Sequence, residues 1–139
     1  MTRSGLEGRA MIDGSATGTV VVLDEPLSFW GGFDPTSGRV VDRNHPQRGR
    51  VLSGHIVVMP SGRGSSSSSS IVAEAVRAGT SPAGIILGSP DSIISLGALV
   101  ARELYGSVLP VVVVGDSYKL LRNDMTATIN GSFVAVSFP

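Results

Sequence analysis

The chain has 139 residues, 42% of them hydrophobic and 16% charged, which fits one folded domain with a real core and excludes a disordered segment. Eleven basic residues balance eleven acidic ones, so the composition offers no electrostatic case for a nucleic acid or an acidic membrane as partner. With no cysteine and only His45 and His55 as histidines, the chain excludes disulfides, a thiol nucleophile and a thiolate-held cluster of its own, and a zinc site built from it alone is not expected.

Residues 1–8 lack the apolar core of a signal peptide, and no apolar run is long enough to span a bilayer, so a cytoplasmic location is expected. Residues 9–13 and 17–24 are β-rich runs split by Gly14-Ser15-Ala16, and Pro26 ends the second. Next comes Leu27-Ser28-Phe29-Trp30-Gly31-Gly32-Phe33-Asp34, which holds the only tryptophan. Aromatics beside paired glycines suit a loop that lines a pocket; they suit equally a loop whose rings cover the core. Asp34-Pro35-Thr36-Ser37-Gly38 has turn chemistry, and residues 39–42 read as a short strand. Residues 44–49 form a polar loop in which His45 is either a ligand-facing group or an ordinary loop histidine. His55 opens the next strand and reads as structural.

Ile56-Val57-Val58-Met59 is a buried strand by composition, and residues 71–77 read as a helix. Between them lie Pro60-Ser61-Gly62-Arg63-Gly64 and six serines, Ser65 to Ser70. A strand, a glycine-rich turn and a helix start present free backbone N–H groups at the positive end of a helix dipole, where anions settle. Serine is a poor helix former, so helix stability does not explain the run. Serine runs also serve as flexible linkers, although this one stands between two apolar elements. The turn lacks the third glycine of a dinucleotide fingerprint, the Gly-Lys-Ser/Thr of a Walker loop and a Gly-x-Ser-x-Gly elbow.

The helix is expected to end near Gly79. Gly84-Ile85-Ile86-Leu87 is a further strand, and a second helix opens after Ser89-Pro90-Asp91, with Ser89 or Asp91 as cap, and stops near Gly106. Val111-Val112-Val113-Val114 is apolar at every position, as parallel strands buried on both faces are. Residues 125–129 alternate, Asn130-Gly131 is a hairpin turn and residues 133–136 return. The expected whole is one α/β domain over residues 1–139. A right-handed parallel β-α-β-α-β core is joined by a second β layer from the N- and C-terminal segments.

Taken together, Leu27-Ser28-Phe29-Trp30-Gly31-Gly32, Asp34, Gly38, Asp42, His45-Pro46 and the 60–68 stretch resemble the small subunit, or swivel domain, of aconitase X. Pro82-Ala83-Gly84-Ile85 and Gly97-Ala98 extend the likeness over nearly the whole chain. The resemblance implies a swivelling β/β/α fold, a large partner subunit whose cysteines hold an iron–sulfur cluster, and dehydration of a small hydroxy acid. Members with a long serine run look like cis-3-hydroxy-L-proline dehydratase, which yields Δ1-pyrroline-2-carboxylate; archaeal relatives dehydrate mevalonate 5-phosphate.

Such a reaction needs a base for the α-proton and a Lewis acid for the leaving hydroxyl, and this chain has no metal ligands to supply the second. Aconitases carry a Gly-Ser-Ser-Arg sequence whose first serine, as alkoxide, is the base. Gly64-Ser65-Ser66-Ser67 matches that place, which makes Ser65 the expected catalytic residue. Ser67 stands where aconitases have the arginine that holds a substrate carboxylate, and Arg63 is the candidate substitute. By the same likeness Gly64, Ser66, Ser67, Phe29, Trp30 and His45 are expected to contact substrate, with His45 at the mouth of the site. A non-catalytic swivelling domain is the competing class. A phosphohistidine carrier would need a histidine in the glycine turn, which has none.

Overall fold

The computed structural model of the chain describes residues 3–138. It opens with three strands, β1 (Arg3–Glu7), β2 (Arg9–Ile12) and β3 (Ser15–Val22). A short helical turn, α1 (Phe29–Gly32), precedes the small hairpin of β4 (Phe33–Asp34) and β5 (Arg39–Val40). The middle alternates β6 (Ile56–Met59), α2 (Ser68–Ala78), β7 (Gly84–Leu87), α3 (Ser92–Tyr105) and β8 (Val111–Val113). A 3-10 helix (Gly115–Leu120) leads to the closing hairpin, β9 (Thr126–Asn130) and β10 (Phe133–Ser137).

All four residues of β6 and of β7 are buried, because both faces of the parallel sheet are covered. Val57, Met59, Ile85, Leu87 and Val111 meet Val72, Ala75, Ile94 and Ala98 of the two helices. The alternate residues Ile56, Val58, Ile86 and Val112 meet Ala127, Ile129, Val134 and Val136 of the closing hairpin. Period-2 alternation thus divides one sheet between two cores. The layers are helices, parallel strands and antiparallel strands, as the expected fold class requires.

The strand order is β1-β10-β9-β3-β6-β7-β8-β2. β3 passes from one layer to the other: Ser15 to Thr19 pair antiparallel with β9, and Val20 to Val22 pair parallel with β6. The far ends of the order, β1 and β2, are separated in sequence only by Gly8, whose N–H donates to the Ser132 carbonyl at 2.8 Å. The second core is therefore enclosed by strands that are continuous in the chain at both of its corners. β1 lies against β10 with Arg3 opposite Ser137 and Glu7 opposite Phe133.

Three local outcomes differ from the sequence reading. β1 is an additional strand, β5 stops at Val40, and α2 begins at Ser68, inside the serine run. The helix can start there because Ser69 and Ser70 turn their hydroxyls back onto the Ser66 and Ser67 carbonyls, each at 2.8 Å. The serine run is folded and is not a linker. α3 is capped by Asp91, whose Oδ1 accepts from the N–H groups of Ile93 and Ile94 at 3.0 and 2.8 Å; the Ser89 N–H instead donates to the Pro60 carbonyl.

Candidate active-site turn

Residues 60–64 leave β6 at its carboxyl end and are held from both sides. Gly62 forms a parallel bridge with Leu27, and the Ser89 N–H reaches the Pro60 carbonyl at 2.9 Å. A Cβ at Gly62 would overlap the Asp91 carboxylate. Gly64 has φ +109° and packs on Ser28, with which any Cβ would collide. Only glycine satisfies both conditions at position 64.

The chain then enters α2 through tight turns. The carbonyls of Ser65, Ser66 and Ser67 accept from the N–H groups of Ser68, Ser69 and Ser70 at 3.0, 3.1 and 3.2 Å. Among the described residues, no backbone acceptor takes the N–H groups of Ser65, Ser66 and Ser67, and no partner engages their hydroxyls. Residues 63–67 are all exposed. Three donors and three hydroxyls thus face solvent at the positive end of an 11-residue helix, an arrangement suited to an anion.

Ser68 behaves differently from its neighbours. It is 2% exposed, and its Oγ accepts from the Trp30 N–H at 3.0 Å. The Ser28 hydroxyl donates to the Trp30 carbonyl, also at 3.0 Å. With φ, ψ of −76°, 112° at Trp30 and 79°, −13° at Gly31, the backbone makes a type II turn with Trp30 at its apex. The backbone of Trp30 is clamped on both sides while its indole is 57% exposed.

Phe29, expected to contact substrate, lies inside the core. Its ring is 1% exposed and packs on Phe33 with centroids 5.2 Å apart, so it supports the Trp30 turn from inside the core. Sequence could not separate the two adjacent aromatics because a tight turn, not a periodic element, sends one in and the other out.

Arg63 lies beside the serines and reaches Asp42 at 3.9 Å, a loose and largely solvated pair. Asp42 is fixed by accepting from the Asn44 N–H at 2.9 Å. The guanidinium is therefore tethered near the turn yet able to reorient toward an anionic ligand.

His45, expected at the mouth of the site, is buried too. It is 3% exposed, and both ring nitrogens are engaged. The Gln47 N–H donates to Nδ1 at 3.1 Å, which leaves the ring proton on Nε2, 3.0 Å from the Glu25 carbonyl. The Gln47 side chain clasps Asp24 through its backbone N–H and its carboxylate, at 2.9 and 2.8 Å. This histidine staples the loop of residues 42–50 to residues 24–25 and does not face the site. His45→Ala should cost about 1–3 kcal/mol of stability, because it leaves the Glu25 carbonyl and Gln47 N–H without their partner. Thermal melting and amide exchange at Gln47 check this; lost turnover at an unchanged melting temperature would restore a direct role.

No set of three potential metal-ligating side chains clusters among the described residues, and the sequence has no cysteine, so this chain's residues do not fit an iron–sulfur cluster. An open depression of about 370 Å³ lies elsewhere, lined by Val22, Asp24, Leu121, Arg122 and Asn123, and contains none of the serines. Among the described residues no helix is long and apolar enough to cross a membrane.

Residues 5–136 match the family described as the aconitase X swivel domain. The chain is 46% identical over 110 residues to a cis-3-hydroxy-L-proline dehydratase of Pseudomonas aeruginosa, a match covering 79% of this chain and 19% of that protein. It is 41% identical over 93 residues to the phosphomevalonate dehydratase small subunit of Methanothermobacter thermautotrophicus, covering 67% of this chain and 71% of that one. A crystal structure of Thermococcus kodakaraensis aconitase X in its holo-form superposes with a TM-score of 0.87 at 31% identity, covering 97% of this chain and 99% of that one. The chain spans about one fifth of the length of the cis-3-hydroxy-L-proline dehydratases that it matches.

Proposed function

The chain belongs to the aconitase X swivel-domain family, and on that premise we propose that residues 1–139 form the single mobile domain of an aconitase-type dehydratase. The observation that carries the proposal is the exposed turn of residues 63–67, with its unengaged hydroxyls and N–H groups. In this reading Ser65 is the base. Its alkoxide takes the α-proton of a β-hydroxy acid, the electron pair of that C–H bond forms the new double bond as the C–O bond at the β-carbon breaks, and the departing hydroxide takes up the proton that Ser65 gives back, so that water leaves and the alkoxide is restored. The N–H groups of Ser66 and Ser67 and the Arg63 cation stabilise the alkoxide, without which a serine hydroxyl is too weak a base. Arg63 also receives the substrate carboxylate in place of the arginine that Ser67 replaces, and Gly64 and Trp30 flank it.

An exposed turn cannot exclude water by itself. A second, larger body must close over it, and that body carries the cysteines and the iron–sulfur cluster that this chain has no residues to hold. The assembly belongs in the cytoplasm, a compartment reducing enough for thiolate ligands. The preferred substrate is cis-3-hydroxy-L-proline, supported by the 46% identity to the Pseudomonas aeruginosa enzyme. A second reading, mevalonate 5-phosphate, is supported by the size of the separate small subunits, of which this chain covers 71% in the Methanothermobacter thermautotrophicus case.

The test is co-expression with the large subunit, followed by size-exclusion chromatography and assays with each substrate. A stable heterodimer that dehydrates cis-3-hydroxy-L-proline, and no turnover by the 139-residue chain alone, are the expected results. Turnover by the isolated chain would overturn the two-body reading. Turnover of the phosphorylated substrate only would select the second.

A further inference from the structure

Beside the serine turn the surface has a composition that neither the fold nor the chemistry above requires. Residues 39–50 hold four arginines against one aspartate, a net +3 in a chain whose net charge is zero. Arg39 donates to the Gly49 carbonyl, but among the described residues no acid pairs with Arg43, Arg48 or Arg50. All three are exposed. The loop adjoins the Trp30 turn through the Val41 N–H, which donates to the Gly32 carbonyl at 2.9 Å, and through Asp42, which packs on Gly32. Val41 is itself 44% exposed. The exposed Trp30 and Val41 therefore lie on segments that adjoin the arginine loop.

Two features separate this surface from an ordinary solvated one. The Trp30 backbone is clamped by Ser28 and Ser68, so presenting its indole requires little further ordering. The arginine loop is stapled by His45 and Gln47, so the like charges are held together against their mutual repulsion. Rigid aromatic anchors with arginine around them are the composition of protein interfaces.

We infer that Trp30 and Val41, with Arg43, Arg48 and Arg50 as their rim, form the docking surface for the large subunit, and that the large subunit meets it with an apolar pocket edged by carboxylates. The inference rests on the two-body reading above and specifies which face is covered and by what chemistry.

The experiment uses the full chain and the cysteine-bearing large subunit purified from the same host, with affinity measured at low and high salt. Trp30→Ala should weaken binding by at least about 30-fold, as loss of an interface anchor does. The triple variant Arg43→Glu, Arg48→Glu, Arg50→Glu should slow association by about 10-fold or more and abolish or invert its salt dependence. Arg102→Glu, at the end of α3 remote from the serine turn, should bind as the parent does. If the parental proteins form no complex, the two-body reading itself fails. If they bind and the triple variant binds equally well with the same salt dependence, the docking surface is wrong and the two-body reading survives. Dimerisation of the chain alone that Trp30→Ala abolishes would assign the face to a second copy and overturn the inference.

Discussion

If Ser65 is the base of the proposed two-body dehydratase, replacing it by alanine should lower turnover by at least about 10²-fold, the lower end of what general-base catalysis contributes. The fold should scarcely notice. The Ser65 side chain is exposed, its hydroxyl bonds no described residue, and the structural bond at this position belongs to the backbone carbonyl, which accepts from the Ser68 N–H. Substitutions of that kind usually change stability by less than about 0.5 kcal/mol. Substrate binding should survive, since Arg63 and the N–H groups remain. Exchange of the substrate's α-hydrogen with deuterated water isolates the proton transfer and should fall in step with turnover. Ser69→Ala is the comparison: its hydroxyl is committed to the Ser66 carbonyl, and the effect should be mild. Near-normal exchange in Ser65→Ala, or a later serine proving indispensable, would move the base elsewhere.

Gly64→Ala should damage activity and stability together, unlike Ser65→Ala. At φ +109° an alanine is strained, and its Cβ overlaps the Ser28 side chain. Strain of this type costs about 1–3 kcal/mol. Ser28 can yield only by releasing the Trp30 carbonyl, so the defect spreads into the Trp30 turn. The melting temperature should fall and turnover should drop at least as far as in Ser65→Ala, because the serines no longer stand where the braced turn puts them. Adding Ser28→Gly removes the overlap but not the backbone strain, and should restore part of the stability. A Gly64→Ala protein with parental melting and turnover would show that the turn does not need its left-handed residue.

Much of this architecture is written locally. The runs at 56–59, 84–87 and 111–113 are apolar at every position because both their faces are covered, and the Asn130-Gly131 turn fixes the closing hairpin. Asp91 announces α3 because it is a short acceptor one residue before an apolar helical pattern. What escaped the sequence depends on distant contacts. β1 contains Gly5 and no clear alternation; it exists as a strand because β10 pairs with it and the Phe133 ring covers Gly5. The fate of the six serines was equally illegible. Three keep free hydroxyls, two bond back along the chain and one is buried under Trp30, yet all six are the same residue in a row. His45 escaped because its acceptor, the Glu25 carbonyl, lies twenty residues away and leaves no side-chain signature.

The pairing of Arg3 with Ser137 carries a consequence for how such a domain is tethered. The chain enters and leaves the fold at adjacent points of one strand pair. A peptide connection to another body can therefore be made at either end and arrive at nearly the same place. Joined there, the domain is held at one edge, and no connection crosses its sheet. The chain matches about one fifth of a long cis-3-hydroxy-L-proline dehydratase and most of a separate phosphomevalonate dehydratase small subunit, and adjacent ends suit either arrangement.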